Sequence, residues 1–345
     1  MSRTAVVILN YNGEKLLQQF LPSVIQYSSE AEIIIADNDS SDRSISFVQQ
    51  TFPQIRIIQL DQNYGFCGGY NRALQQVVAN YYVLLNSDIE VTSQWLGPMI
   101  SLLDNDPTVA AVQPKVLSYH NKNMFEHAGA AGGFIDALGY PFCRGRIFDY
   151  VEEDQGQYND QREVFWATGA CLMIRSEAFK KFGGFDEDFF AHMEEIDLCW
   201  KLQRTGQKVF YCGNSTIYHV GAGTLSYSNP KKVFLNFRNG LSLLFKHLSP
   251  GELLYKLPLR ILLDLIAAFQ FLIKGEARSF AAVIRAQGKF LFNLDSDLKK
   301  RQEVRKAFPG YSNAMIYKGS VVLDYFLRGK RHGYNVPVRT RVPKG

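Results

Sequence analysis

Three polar clusters in this 345-residue sequence carry residue types that do chemistry. The passage Asp186–Asp197 (DEDFFAHMEEID) holds six carboxylates. Glu194, Glu195 and Asp197 stand where a helix begins, because Ile196, Cys199, Trp200 and Leu202 follow at helical spacing and Gly206 supplies a stop. Acids in a first helical turn complement the helix dipole. Three of them beside Phe185, Phe189, Phe190 and Trp200 also crowd like charges, which raises at least one pKa and makes a general base near neutral pH. The residues alone leave base and cap open. Asn86-Ser87-Asp88 follows an apolar run, and a carboxylate at a strand end suits a hard divalent cation that shares its oxygen ligands with phosphates. Asp88 would equally cap the next turn. His219, in Ile217-Tyr218-His219-Val220-Gly221, is either a hydrogen-bonded structural histidine or an imidazole partner for Asp88, a donor pair that suits manganese or magnesium.

The elements that must position these groups are legible from hydrophobic period. Runs at Ala5–Leu9, Glu32–Ala36, Ile55–Leu60 and Tyr81–Leu85 predict four strands, with helix-like apolar spacing between them. Nearly continuous apolar strands alternating with amphipathic helices imply a mostly parallel sheet covered on both faces, an α/β fold of the doubly wound kind. Each run ends in turn-forming polar residues: Asn10-Tyr11-Asn12-Gly13, Asp37-Asn38-Asp39-Ser40, Asn63-Tyr64-Gly65 and Asn86-Ser87-Asp88. In an open α/β sheet that edge is where ligands bind. Gly- and aromatic-rich sequence from Pro107 to Asp160 predicts loops and short strands on the acceptor side of a site. Val164–Ile174 reads as one buried strand, Glu177–Phe182 as a helix, and Val209–Tyr211 and Thr216–Tyr218 as two short strands. Beyond Pro230 the pattern is helical, and Lys256, Arg260 and Asp264 recur every four residues as one polar stripe on an otherwise apolar helix.

Composition narrows the function. With 46% hydrophobic and 21% charged residues a sizeable core is available and wholesale disorder is excluded. The 38 Lys and Arg against 33 Asp and Glu give a formal charge of +5, too mild to call for nucleic acid. Five widely spaced cysteines without a CxxC pair read as reduced thiols of a cytoplasmic protein rather than a disulfide or zinc scaffold. The amino-terminal MSRTAVVILNYNG does not fit a signal peptide, and no run reaches the roughly 18 apolar residues of a spanning helix. The expectation is a protein that is soluble or lies on a membrane without crossing it. No GxGxxG follows the first strand and no Walker loop occurs, which sets a nicotinamide dehydrogenase aside and leaves a phosphate ligand in need of a metal.

In order along residues 4–245, the segments NYNG (10–13), DNDSSD (37–42), NYGFCGGYNRAL (63–74), LLNSDIEV (84–91), TGACLMIR (168–175), FGGFDEDFF (182–190), MEEIDLCWKL (193–202) and IYHVGAGT (217–224) resemble the family 2 glycosyltransferases of the GT-A fold, particularly a bacterial rhamnosyltransferase-like branch. The resemblance implies a catalytic domain over 1–245, with a nucleotide-sugar half at 1–106 and an acceptor half at 107–245, followed by a helical extension at 246–345. It implies that Asn10, Tyr11, Asn12, Asp37, Asn38, Asn63, Gly65, Asn71, Asn86 and Asp88 hold a nucleoside-diphosphate sugar. Asp88 and His219 would bind Mn or Mg, with Asn86 standing as a neutral residue where the family's first DxD acid is. Glu195 stands at the family's catalytic Asp, with Glu194 and Asp197 as fallbacks, and Trp166, Thr168, Gly169 and Asp186 lie on the acceptor side. The implied activity is inverting sugar transfer, with rhamnose the suggested sugar, to a glycan or lipid-linked acceptor in cell-surface polysaccharide synthesis. The competing expectation is a non-catalytic nucleotide-sugar or glycan binder on the same fold. The extension and the tail Arg328–Gly345, with six Lys or Arg and no acid, suit peripheral contact with anionic lipid at the inner membrane face, or else a helix packed on the domain with a basic end.

Overall fold

The computed structural model describes residues 3–221, 229–310 and 315–333. The predicted alternation opens the chain: β1 (Thr4–Asn10), α1 (Glu14–Tyr27), β2 (Ala31–Asp37), α2 (Ser44–Thr51), β3 (Arg56–Gln59), α3 (Gly65–Gln75) and β4 (Tyr81–Asn86). β1 pairs in parallel with β2 and with β4, and β2 with β3. Successive residues of β1 enter different cores: Ala5 and Val7 pack on one side with Ile34 and Ala36, while Val6 and Ile8 pack on the other with Ile35. This two-sided burial is why the strands read as unbroken apolar runs. All four strands end at one edge, which gathers the polar loops.

The second half is mixed. It comprises β5 (Ile89–Val91), α4 (Leu96–Asn105), β6 (Val109–Ser118), a small antiparallel sheet of β7 (Gly133–Ile135), β8 (Pro141–Cys143), β9 (Arg146–Ile147) and β10 (Tyr150–Val151), then β11 (Gln161–Val164), β12 (Cys171–Arg175), α5 (Ser176–Lys181), α6 (Glu194–Arg204) and β13 (Lys208–His219). The main sheet runs β11-β13-β6-β12-β4-β1-β2-β3, with β5 against the far end of β13. Two expectations are corrected. The run Val164–Ile174 is two strands: β11 pairs with β13, and β12 lies antiparallel between β4 and β6. Its connecting turn is itself buried (Phe165, Trp166 and Ala167), so hydrophobicity gave no sign of the break. Conversely, the two short strands expected at Val209–Tyr211 and Thr216–Tyr218 are one strand, β13, with an irregularity between Cys212 and Thr216. Gly213 sits there because a Cβ would come within 2.6 Å of the Tyr158 carbonyl. All five cysteines are buried and unpaired.

The carboxyl-terminal helices are α7 (Pro230–His247), α8 (Pro250–Ile273), α9 (Ala277–Phe292), α10 (Leu294–Ala307) and α11 (Val321–Phe326). The boundary expected at 245/246 falls inside α7, and α7 packs its last residues on α6, so the extension is joined to the catalytic core through a shared helix. The polar stripe of α8 points inward: Arg260 and Asp264 are buried, their Nε and Oδ1 atoms are 2.8 Å apart, and the Tyr140 hydroxyl donates to Asp264 at 2.8 Å. No helix among the described residues is long and apolar enough to cross a membrane. Residues 222–224 of the late histidine motif and 334–345 of the basic tail lie outside the described residues.

Candidate active site

The loops at the strand edge hold one another. Asn10 is fully buried, and its Nδ2 donates to Asp37 at 3.2 Å, Ser40 at 3.0 Å and Ser44 at 2.9 Å. The Asn12 Oδ1 accepts from the backbone of Ser41 at 2.8 Å and Asp42 at 3.2 Å. Asn38 donates to Asn63 Oδ1 and to the Gly65 carbonyl, both at 3.0 Å, and accepts from Tyr64 N–H. Gly65 has φ +68°, and a Cβ there would meet the Phe190 ring at 2.7 Å, so this loop has room for no side chain. Asn71 bonds both backbone groups of Phe185, at 2.9 Å each, tying α3 to the approach to α6. Among these expected donor residues Tyr11 is the exposed aromatic, at 53%, and its ring is free to lie against another. The Nδ2 groups of Asn10, Asn38 and Asn71 are spent on shaping the crevice.

Asp88 and His219 meet because β5 pairs with the end of β13, Ile89 opposite His219. His219 Nε2 stands 3.2 Å from Asp88 Oδ1, and its Nδ1 is 2.9 Å from Glu126 Oε2. Burial would lower the imidazole pKa, but the two carboxylates on its nitrogens lift it to about 10. Glu126 was invisible in the sequence; its partnership with Nδ1 fixes which nitrogen faces Asp88. The pair is an oxygen-plus-imidazole set, and once the imidazole gives up its proton such a set fits a divalent cation that takes its remaining oxygens from a ligand's phosphates. Among the described residues no group of three His, Cys, Asp or Glu side chains stands in metal-holding geometry.

The carboxylate cluster splits. Glu194 and Glu195 begin α6 against the Thr168–Ala170 turn, with Glu194 Oε1 within 3.8 Å of where a Cβ of Gly169 would lie. The same turn reaches β4, since Asn86 N–H donates to the Ala170 carbonyl at 2.9 Å. One turn therefore links the Asn86–Asp88 edge to the glutamates. Each glutamate has a buried Oε2 with no hydrogen-bond partner among the described residues. Burial raises Glu195 to about 7, against the pull of backbone N–H groups from Glu195, Ile196, Gly169 and Met193. Burial and the neighbouring Glu195 raise Glu194 well above the ordinary range. The pair thus holds a proton near neutrality, and Glu195, the less buried of the two, ionises first.

Three expected residues stand elsewhere. Asp197 lies under the opposite face of α6, wholly buried; burial would raise its pKa, but Lys201 and Lys246 at 2.8 Å each and His247 at 2.7 Å hold it well below the ordinary range. A carboxylate so paired is not a base. Asp186 faces Lys246 at 2.7 Å and pairs with Lys300, away from the glutamates. Trp166 is in the core, its Nε1 donating to the Phe134 carbonyl at 2.9 Å and its ring filling the space over Gly133. Thr168 and Gly169 stay at the site: the Thr168 hydroxyl accepts from Ala170 N–H at 3.1 Å and closes the turn.

The entry to α6 is strained. Phe190, His192 and Met193 have φ of 64°, 69° and 73°, a conformation non-glycine residues rarely take. Asn239 of α7 offsets this, its buried amide donating to the carbonyls of Phe189 at 3.0 Å, Ala191 at 2.9 Å and His192 at 2.7 Å. Arg238 adds a bond to the Asp188 carbonyl at 2.7 Å. Asn239, Lys246 and His247 were missed because nothing in a helical run marks which polar residues point inward.

The glycosyl transferase family 2 model matches residues 5–183, ending before α6. The N-acetylglucosaminyl-diphospho-decaprenol L-rhamnosyltransferase of Mycobacterium tuberculosis is 24% identical over 230 residues, 62% of this chain and 75% of the relative. The low-salt glycan biosynthesis hexosyltransferase Agl10 of Haloferax volcanii is 22% identical over 240 residues, 68% and 73% of the two chains. Among solved structures, the mannosyltransferase PcManGT of Pyrobaculum calidifontis, in complex with GDP-Man and Mn2+, superposes with a TM-score of 0.52 at 16% identity, covering 84% of this chain and 87% of that one. The shared fold is the GT-A nucleotide-sugar transferase fold, with helices added at the carboxyl end. By the extent of that family match and the order of the strand-edge loops, the chain belongs to glycosyl transferase family 2 and is a nucleotide-sugar glycosyltransferase.

Proposed function

We propose that this enzyme transfers a sugar, with L-rhamnose the first to test, from a nucleoside-diphosphate donor to a hydroxyl of a lipid-linked glycan at the inner membrane face. The observation that carries the reading is the buried, unpartnered oxygen of Glu195 on a carboxyl whose pKa sits at about 7, one turn away from the Asn86–Asp88 edge. Glu195 takes the acceptor hydroxyl's proton as its oxygen bonds to the anomeric carbon. The carbon–phosphate-oxygen bond breaks on the far side, and the diphosphate leaves with the electron pair, inverting the centre. Glu194, protonated at that pH, presents a donor rather than a second charge. Tyr11 lies where it can stack on the base, and the Asn38–Asn63–Gly65 loop walls the pocket. Asp88 and His219 would hold the divalent ion, with Asn86 beside them, and that ion when bound neutralises charge on the leaving diphosphate. The Mycobacterium relative's name supports the sugar and the lipid-diphosphate acceptor, and the Haloferax relative's name supports hexosyl transfer in glycan synthesis.

Release of nucleoside diphosphate from a panel of nucleotide sugars, with added manganese and a decaprenyl-diphosphate glycan, tests the reading. Turnover that disappears in Glu195→Gln while donor binding survives supports it. Full turnover in that variant moves the base to Glu194.

A further inference from the structure

We propose that the outward face of α8 is where the protein rests on an anionic lipid surface. The inference rests on the lipid-linked acceptor only for its purpose; the observation is geometric. An ordinary surface helix buries its apolar stripe and wets its polar one. α8 does the reverse. Arg260, Asp264 and Ala268 face the core, where Arg260 lies 3.8 Å over the Tyr140 ring and donates to the Leu138 carbonyl at 3.0 Å. On the opposite side Tyr255, Leu259, Leu262, Ile266, Phe269 and Ile273 are each between 44% and 85% exposed. At 100° per residue these six lie within an arc of about 80°, over a length of about 27 Å. All four charged residues of α8 (Glu252, Lys256, Arg260 and Asp264) are off that stripe and paired with one another. A continuous apolar strip of this length is not what a monomer leaves to water.

Charge selects the occupant. Between Leu253 and Phe292 the exposed charged residues are Lys274, Arg278, Arg285 and Lys289, all cations, while the two acids are Asp264, buried, and Glu276, half-buried. An apolar stripe with a cationic border matches an interface of acyl chains under anionic headgroups. A two-fold pairing of identical copies through the stripe would bring the same cations toward each other. Residues 334–345 carry Arg339, Arg341 and Lys344 and no acid, so their charge does not complement the border either.

Sedimentation of the full chain with vesicles decides the matter, comparing phosphatidylethanolamine mixed with phosphatidylglycerol against phosphatidylcholine alone. The expected result is binding to the anionic vesicles that weakens with salt, and that falls at least about tenfold in Leu262→Glu/Ile266→Glu and about tenfold in Lys274→Glu/Arg278→Glu. Both variants alter exposed side chains, so unchanged circular dichroism and melting accompany them, and both retain transfer to a soluble acceptor analogue. Equal partition of the parent chain and the Leu262/Ile266 variant overturns the proposal. So does a dimer in sedimentation velocity that the same variant dissolves, since it assigns the face to a second copy. Vesicle binding without sugar transfer by the parent chain breaks the reaction assignment and leaves this one standing.

Discussion

The two faces of α6 carry chemically identical groups with opposite fates. Glu195 faces the Thr168–Ala170 turn, where backbone N–H groups oppose burial without a countercharge beside them among the described residues, and its pKa climbs to about 7. Asp197, two residues on and about 200° around the helix, meets Lys201, Lys246 and His247, and its pKa drops well below the ordinary range. His247 serves in its neutral form, because burial lowers it to about 4, and its ring stacks on Trp200 at 4.6 Å. Environment, not residue type, separates the proposed proton acceptor from the anchor.

The largest expected effect breaks the first face. Glu195→Gln should lower kcat by ~10²–10⁴-fold, the usual contribution of a positioned base, read by nucleoside diphosphate release. The two faces should also answer pH with opposite signs. For Glu195 the folded state holds its proton more tightly than the unfolded state. The resulting stability is complete below the ordinary carboxylate range and is lost as pH rises through about 7. The Gln variant should therefore melt higher than the parent at pH 8, with the gap closing toward pH 4. The parent's kcat/KM should fall as pH drops below about 7. For Asp197 the sign reverses: its stabilisation is present above the ordinary carboxylate range and is lost in acid.

Lys246→Met attacks the second face. It removes a cation shared by the fully buried Asp197 and the partly buried Asp186, and should cost about 3 kcal/mol in urea unfolding while the pH–rate midpoint stays in place. Asn239→Ala frees three carbonyls of the strained entry to α6 and should cost ~1–3 kcal/mol, with a loss of kcat exceeding any rise in KM. The smallest effect is at the proposed metal edge. Asn86→Asp adds an acid beside Asp88 and should tighten manganese by about fivefold, roughly 1 kcal/mol for a charge near the surface, measured by calorimetry. Asp88→Ala should weaken manganese-dependent donor binding in the same assay.

Sequence period carried the amino-terminal half well, because two-sided burial writes each parallel strand as an apolar run and each loop as a polar stop. It failed at Val164–Ile174, where a buried crossover is as apolar as the strands it joins. The site was half legible. Asp88, His219 and the Glu194–Glu195 pair were marked by residue type at element ends. Asp197 shared that signature and proved to be an anchor, because besides Lys201 its partners Lys246 and His247 come from α7, some fifty residues away. Glu126 and Asn239 carry no local signal at all; their partners are brought to them by β13 and by the turn into α6. The direction of the α8 stripe was likewise undetermined, since periodicity gives the two sides of a helix without saying which one meets the core.

The countercharges beneath α6 have a consequence for exchange between relatives. Lysines from three helices, α6, α7 and α10, balance Asp186 and Asp197, so α6 and its approach cannot be inherited or grafted as a cassette. A chimaera that imports residues 186–204 from a homologue must import the matching residues of α7 and α10 as well. New acceptor preferences in this lineage should arise through paired changes in those helices.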